Sequence, residues 1–232
     1  MTPRYRAVVF DLFGTLVHFR GRPDPRFEWL REPFAAVTDP AAFDDFREAL
    51  RAVSMDIIAG REPEHREVLS RDRFARALSR IGADTSGAEA LSTAHMGHLA
   101  GFTDLPDGHL DVVATLADRY RVGLVSNFDH APTARAVLAR HGLDRHLAAT
   151  VISAEFGWRK PHPGIFREAL ASLDVAPPEA LYVGDTHLDD VIGALGVGMD
   201  VVWLAPSGGA APEPTPTFRI ANLAELPALL GH

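Results

Sequence analysis

Asp11, Ser126 and Asp185 each stand at the end of an apolar run: residues 7–10 before the first, 122–125 before the second, and 181–183 with Gly184 before the third. A carboxylate is already ionised at neutral pH and can act as a nucleophile without a neighbouring base. Asp11 in that role would attack phosphorus or carbon and form an acyl-type covalent intermediate. Gly14 permits close backbone approach to a ligand. Thr15 and Ser126 offer hydroxyl donors to an anionic group. Lys160 supplies a compact positive charge to offset Asp11 and the transferring group. Asp185 suits a hard cation such as magnesium, which prefers oxygen ligands. Each residue type also has a structural use: an Asp after a strand caps helices or forms turns, and an isolated Lys is ordinarily a solvated charge.

Apolar runs of this kind belong to strands buried on both faces of a parallel sheet. They recur at 122–125, 150–152, 181–183 and 201–204, with helical spacing at 131–141, 164–173 and 189–195 between them. The alternation predicts an α/β fold, a parallel sheet flanked by helices. In such sheets ligands bind at the carboxyl ends of the strands, where Asp11, Ser126 and Asp185 stand. Residues 20–103 read differently. Helical periods at 27–37, 41–59, 71–81 and 88–99 are punctuated by Pro40, Gly60, Pro63, Gly82 and Gly87. This predicts a separate all-helical domain, 20–103, inserted into a core of 1–19 and 104–232. A surface loop is expected at 205–216 and a last helix near 223–230.

At 232 residues, 47% hydrophobic and 23% charged, the chain has room for one large domain or a core with a smaller one. A formal net charge of −8 argues against a nucleic-acid partner, which needs a basic face, but leaves room for a local site that takes a small anionic substrate. With no cysteine, disulfides, thiolate metal sites and thiol nucleophiles are excluded. The apolar run before Asp11 is too short for a signal peptide, and no stretch approaches the roughly 18 apolar residues of a membrane span. A soluble cytoplasmic protein is the expectation, and nothing in the sequence specifies an oligomeric state.

Asp11-Leu12-Phe13-Gly14-Thr15-Leu16 resembles the first motif of the haloacid dehalogenase superfamily, which opens with Asp and has Gly-Thr three and four positions later. Three further blocks follow in order: Ser126-Asn127, Lys160-Pro161, and Gly184-Asp185 with Asp189 and Asp190. The early helical insertion resembles that family's cap. The resemblance implies a Rossmann-like core and a hydrolase with Asp11 as nucleophile. Gly14, Thr15, Ser126, Asn127 and Lys160 would surround the substrate's anionic group. Mg²⁺ would be held by Asp11, the backbone carbonyl of Phe13 and Asp185, with Asp190 accepting from metal-bound water or Lys160. Asp190 is preferred over Asp189 for its spacing to the helical stretch that follows.

One position departs from the pattern. Many phosphatases of the family carry a second Asp two residues after the nucleophile, where it protonates the leaving oxygen; here that residue is Phe13. General acid–base help is worth about 10²–10⁴-fold. Three readings follow: a phosphorylated substrate with a good leaving group, such as an acyl phosphate; metal-independent dehalogenation of a 2-haloacid, since those dehalogenases carry an aromatic residue here; or a weakened member serving binding or regulation. The acids at 185 and 190 favour the metal-dependent phosphatase, as does Phe166 where the dehalogenases tend to have Tyr. His18 or His187 is the expected replacement for the missing acid. His95 and His98 read as ordinary cap residues, and Arg20, Arg22 and Arg26 as a solvated run.

Overall fold

The apolar run at the start of the chain forms strand β1 (Ala7–Phe10), whose alternate side chains enter two different cores. Such two-faced burial marks a central strand of a parallel sheet. The computed structural model describes residues 4–21, 24–60, 64–205 and 212–231. After β1 come β2 (His18–Phe19), then α1 (Arg31–Ala35), α2 (Phe43–Ala59), α3 (Ser70–Arg80) and α4 (Ala88–Gly101). The chain returns through β3 (Thr103–Asp104), α5 (His109–Ala117), β4 (Arg121–Ser126), α6 (Ala131–Arg140), β5 (Ala149–Ile152) and α7 (Ser153–Phe156). It ends with α8 (Pro163–Ser172), β6 (Ala180–Gly184), α9 (Gly193–Gly196), β7 (Asp200–Leu204), β8 (Phe218–Ile220) and α10 (Leu226–Leu229).

The main sheet has six parallel strands in the order β5-β4-β1-β6-β7-β8. Val8, Phe10, Leu124, Leu181 and Val183 pack on one face with α5, α6 and α10; Ala7, Val9, Val125 and Tyr182 pack on the other with α8 and α9. This is the expected α/β fold. No helix of the described residues is long and apolar enough to cross a membrane.

Between β2 and β3 the described chain is helical, and its hydrophobic core draws its buried members from residues 30–91. His95 on α4 packs beside this core against the Phe27, Trp29 and Phe74 rings, and the Trp29 indole donates to its Nδ1 at 3.3 Å. Besides the packing of α4 on α6, where Arg140 donates to Ala100 O at 3.0 Å, two links join this helical region to the sheet. One is the antiparallel ribbon of β2 and β3, pairing His18 with Asp104 and Phe19 with Thr103. The other is the segment before α3. Its Glu67 carboxylate accepts from Ser153 Oγ and from Arg159 (3.3 Å), and Ser70 N–H donates to Asp129 O at 2.9 Å.

Local differences from the sequence reading have local causes. The predicted helix at 27–37 is a 3₁₀ turn (Glu28–Leu30) followed by α1. Phe27 has φ +54°, and a left-handed residue cannot continue a right-handed helix. Asp39 then caps the next turn by accepting from Ala41 N–H at 2.9 Å. The predicted helix at 189–195 opens as a π-helical turn (His187–Ile192) and runs into α9. Neither α5 nor the three-residue β8 was expected, and β8 is too short to show a period. Arg22 and Pro63, like residues 206–211 of the expected loop, lie outside the described residues.

Candidate active site

Because β1 lies between β4 and β6, the residues following those strands are neighbours in space. Asp11 N–H still donates to Val183 O at 2.9 Å, which keeps the carboxylate in sheet register one residue beyond the strand. Lys160 arrives from 149 positions away. Its Nζ donates to Asp11 Oδ1 (2.6 Å), Asp190 Oδ1 (2.7 Å) and Tyr182 Oη (2.9 Å), and the side chain is 2% exposed. An ammonium has three protons, so all are used. Tyr182 Oη in turn donates to Asp190 Oδ1 at 2.9 Å, while Asp190 Oδ2 accepts from Thr186 N–H at 2.9 Å. Asp190 thus holds Lys160. Asp189 lies apart, accepting from Asn127 Nδ2 at 3.1 Å.

Two glycines make this convergence possible by lacking a side chain. A Cβ on Gly14, whose φ is +103°, would lie 2.4 Å from Asp185 Oδ2; one on Gly184 would lie 2.4 Å from Asp190 Cγ. Thr15 Oγ1 donates to Asp185 Oδ1 at 3.3 Å, so in this arrangement it orients that acid. The Trp203 indole donates to Asp185 O at 2.8 Å and fixes the peptide beneath it.

One carboxylate oxygen from each of Asp11, Asp185 and Asp190 lies within 4.8 Å of the others, a group able to hold a metal ion. Three carboxylates face one ammonium. Burial pushes Asp11 up to about 7; Lys160 pulls it down, and the charges of Asp190 and Asp185 add to the rise. Burial and Asp190 also raise Asp185. Burial alone would lower Lys160, but Asp11 and Asp190 outweigh it and hold the ammonium above its ordinary value. Among the described residues Asp185 has hydroxyl partners, Thr15 and Thr186 (3.5 Å), and no ion pair. A divalent cation fits here: the donors are hard oxygens, and its charge would offset the repulsion among the three carboxylates.

Ser126 is fully buried and its Oγ has no hydrogen-bond partner, as a donor reserved for a bound anion would be. Asn127 has its amide committed: Oδ1 accepts from Lys160 N–H (2.7 Å) and Nδ2 donates to Lys160 O (3.0 Å) as well as to Asp189. The Phe13 ring stacks on Phe19 (5.0 Å) and meets Phe128 at a tilt (4.7 Å). His18 meets His109 edge-on at 5.8 Å, and His187 Nε2 lies 3.0–3.1 Å from the carbonyls of Pro214 and Pro212. Arg20 donates to Gly101 O and Arg26 pairs with Asp24, while His98 stacks on Trp29. Phe166 is buried beneath Tyr182.

Sequence reasoning missed Tyr182, Thr186 and Trp203. Tyr182 was hidden inside an apolar run. The one available signal was a hydroxyl in a strand buried on both faces, since such a group needs a partner.

Residues 5–198 match the family model of haloacid dehalogenase-like hydrolases. The chain is 34% identical over 160 residues to the phosphoserine phosphatase of Thermus thermophilus, covering 66% of this chain and 61% of that one. It is 30% identical over 233 residues to the glyceraldehyde 3-phosphate phosphatase of Methanopyrus kandleri, covering 95% of each. Across several other curated relatives, the shared span is 35% to 50% of their length. The crystal structure of a 2-haloacid dehalogenase from Pseudomonas syringae superposes with a TM-score of 0.74 at 26% identity, over 97% of this chain and 98% of that one.

Proposed function

The chain belongs to the haloacid dehalogenase-like hydrolases, and from that membership we propose that it is a magnesium-dependent phosphatase of a small phosphorylated metabolite. The observation that carries this reading is the imbalance of three converging carboxylates against one ammonium, beside the unpartnered Ser126 hydroxyl. The phosphatases among its relatives support it.

In this reading residues 20–103 form a cap over a core of 1–19 and 104–232, closing above the strand ends and excluding water. Asp11 attacks phosphorus in line, and the leaving oxygen departs as an aspartyl-phosphate forms; water then hydrolyses that intermediate. Lys160 holds Asp11 in one orientation and offsets its charge. Ser126 donates to the transferring phosphoryl group, and Thr15 and Gly14 set the approach of Asp185. Mg²⁺, held by Asp11, Asp185 and the Phe13 carbonyl and supported by Asp190, would supply charge neutralisation for the phosphoryl oxygens. Phe13 cannot give the leaving oxygen a proton. The substrate class that fits has a weakly basic leaving group, with an acyl phosphate as the type.

A second reading is metal-independent release of halide from a 2-haloacid, favoured by the aromatic residue beside the nucleophile and by the likeness to the Pseudomonas enzyme. One panel separates them: acetyl phosphate, phenyl phosphate and 2-chloropropionate, each with Mg²⁺ and with a chelator. The phosphatase reading expects hydrolysis of acetyl phosphate that needs Mg²⁺ and is lost in Asp11→Asn. Phosphate release that survives chelation, or halide release without metal, overturns it.

A further inference from the structure

Lys160 carries the ammonium that grips Asp11, yet it lies in neither a strand nor a helix. It occupies the turn between α7 and α8. Its main-chain N–H and C=O therefore lack the ladder that holds Asp11 in place. Both are taken by one side chain. Asn127 Oδ1 accepts from Lys160 N–H at 2.7 Å, and Asn127 Nδ2 donates to Lys160 O at 3.0 Å. The second Nδ2 proton goes to Asp189 Oδ2 at 3.1 Å. A carboxamide nitrogen has two protons, so none is left for a substrate. The orientation of the amide is also fixed, because a flipped amide would set Nδ2 against the N–H of Lys160. Asn127 directly follows β4, so its backbone is anchored to the sheet.

We infer that Asn127 is a positioning residue: it acts through the main chain of Lys160, carries the rigidity of β4 into that turn, and is itself aligned by Asp189. The inference rests on the phosphatase reading, in which Lys160 serves Asp11. It reassigns Asn127 from touching the substrate, and it gives Asp189 a task distinct from that of Asp190. The ammonium makes three contacts of 2.6–2.9 Å, and these do not survive a main-chain shift of about 1 Å, a misplacement that costs on the order of 10²-fold in rate.

The test is a double-mutant cycle on kcat for acetyl phosphate with Mg²⁺, using Asn127→Ala, Lys160→Met and the pair. Asn127→Ala is expected to lower kcat by about 10²-fold alone and by less than about threefold once Lys160 is Met, since residues acting as a unit are not additive. A full loss in both backgrounds means that Asn127 works independently of Lys160 and overturns the inference. Should Lys160→Met leave too little folded or active protein, an exchange decides. Asn127→Asp keeps the acceptor for Lys160 N–H, loses the donor to Lys160 O and faces Asp189 with a like charge, so only the part of the loss that comes from the like charge can be restored. Adding Asp189→Asn restores a donor between the two, and kcat is expected to recover by about tenfold or more. No recovery in a folded double variant, judged by near-UV circular dichroism, overturns the inference. Wild-type turnover that ignores chelation or Asp11→Asn rejects the phosphatase reading first and takes this inference with it.

Discussion

His95 makes the folding of the helical region dependent on pH in a calculable way. It is 7% exposed, and the Trp29 indole donates to its Nδ1, so the neutral ring is the form that the fold accepts. Burial, with help from the charges of Arg73 and His98, lowers its pKa from 6.5 to about 3. A depressed folded pKa stabilises the native state above the unfolded pKa, and that stability is lost as pH falls toward the folded value. Between pH 7 and pH 5 the unfolded ring takes up about 0.7 of a proton that the native ring refuses. From these two pKa values the loss is about 2 kcal/mol by pH 5. The assay is urea unfolding at both pH values for the wild type and His95→Phe. The variant should be less stable at pH 7, because the Trp29 N–H loses its acceptor, but should lose about 2 kcal/mol less than the wild type on acidification. Equal pH dependence in the two proteins would refute the reasoning.

Three further outcomes follow from the site. Phe13→Asp should raise turnover of phenyl phosphate by about 10²-fold or more if the absent acid limits that reaction; no gain in a folded variant counts against the proposed account of the leaving group. Gly14→Ala places a Cβ where Asp185 Oδ2 lies, on a backbone with φ +103°, so the upward shift of Tm on adding Mg²⁺ should disappear; an undiminished shift would mean that Asp185 does not hold the ion. Tyr182→Phe removes a buried hydroxyl that accepts from Lys160 and donates to Asp190, and should cost about 1–3 kcal/mol in urea unfolding together with a fall in kcat.

The α/β core was legible because its strands are buried on both faces, and such strands are continuous apolar runs whichever face each side chain serves. Asp11, Ser126 and Asp185 could be picked out for a related reason: a polar residue ending such a run sits at the ligand-binding edge of the sheet. Lys160 had no such signal. It lies in an irregular turn, and its charge pointed to no partner until the family resemblance set it beside Asp11. Tyr182 and Trp203 escaped because their roles depend on which residues distant parts of the chain deliver to them. Tyr182 meets Lys160 across 22 positions of sequence, and Trp203 meets the Asp185 carbonyl across 18. Thr15 and Asn127 were named from sequence, but hydroxyl and amide types do not disclose their partners; both are turned toward neighbouring protein groups. Phe27 escaped because a positive φ at a phenylalanine is a cost imposed by tertiary packing rather than a local preference.

The β2–β3 ribbon also supplies a ring that packs on the residue two positions after Asp11. Phe19 belongs to β2 and lies flat against Phe13 while 40% exposed. Any rotation about that ribbon must slide one aromatic plane over the other. In the proposed reading, where the helical region closes over the strand ends, access and selectivity become coupled: a substitution at Phe19 chosen to loosen that closure also reshapes the aromatic surface packed on Phe13.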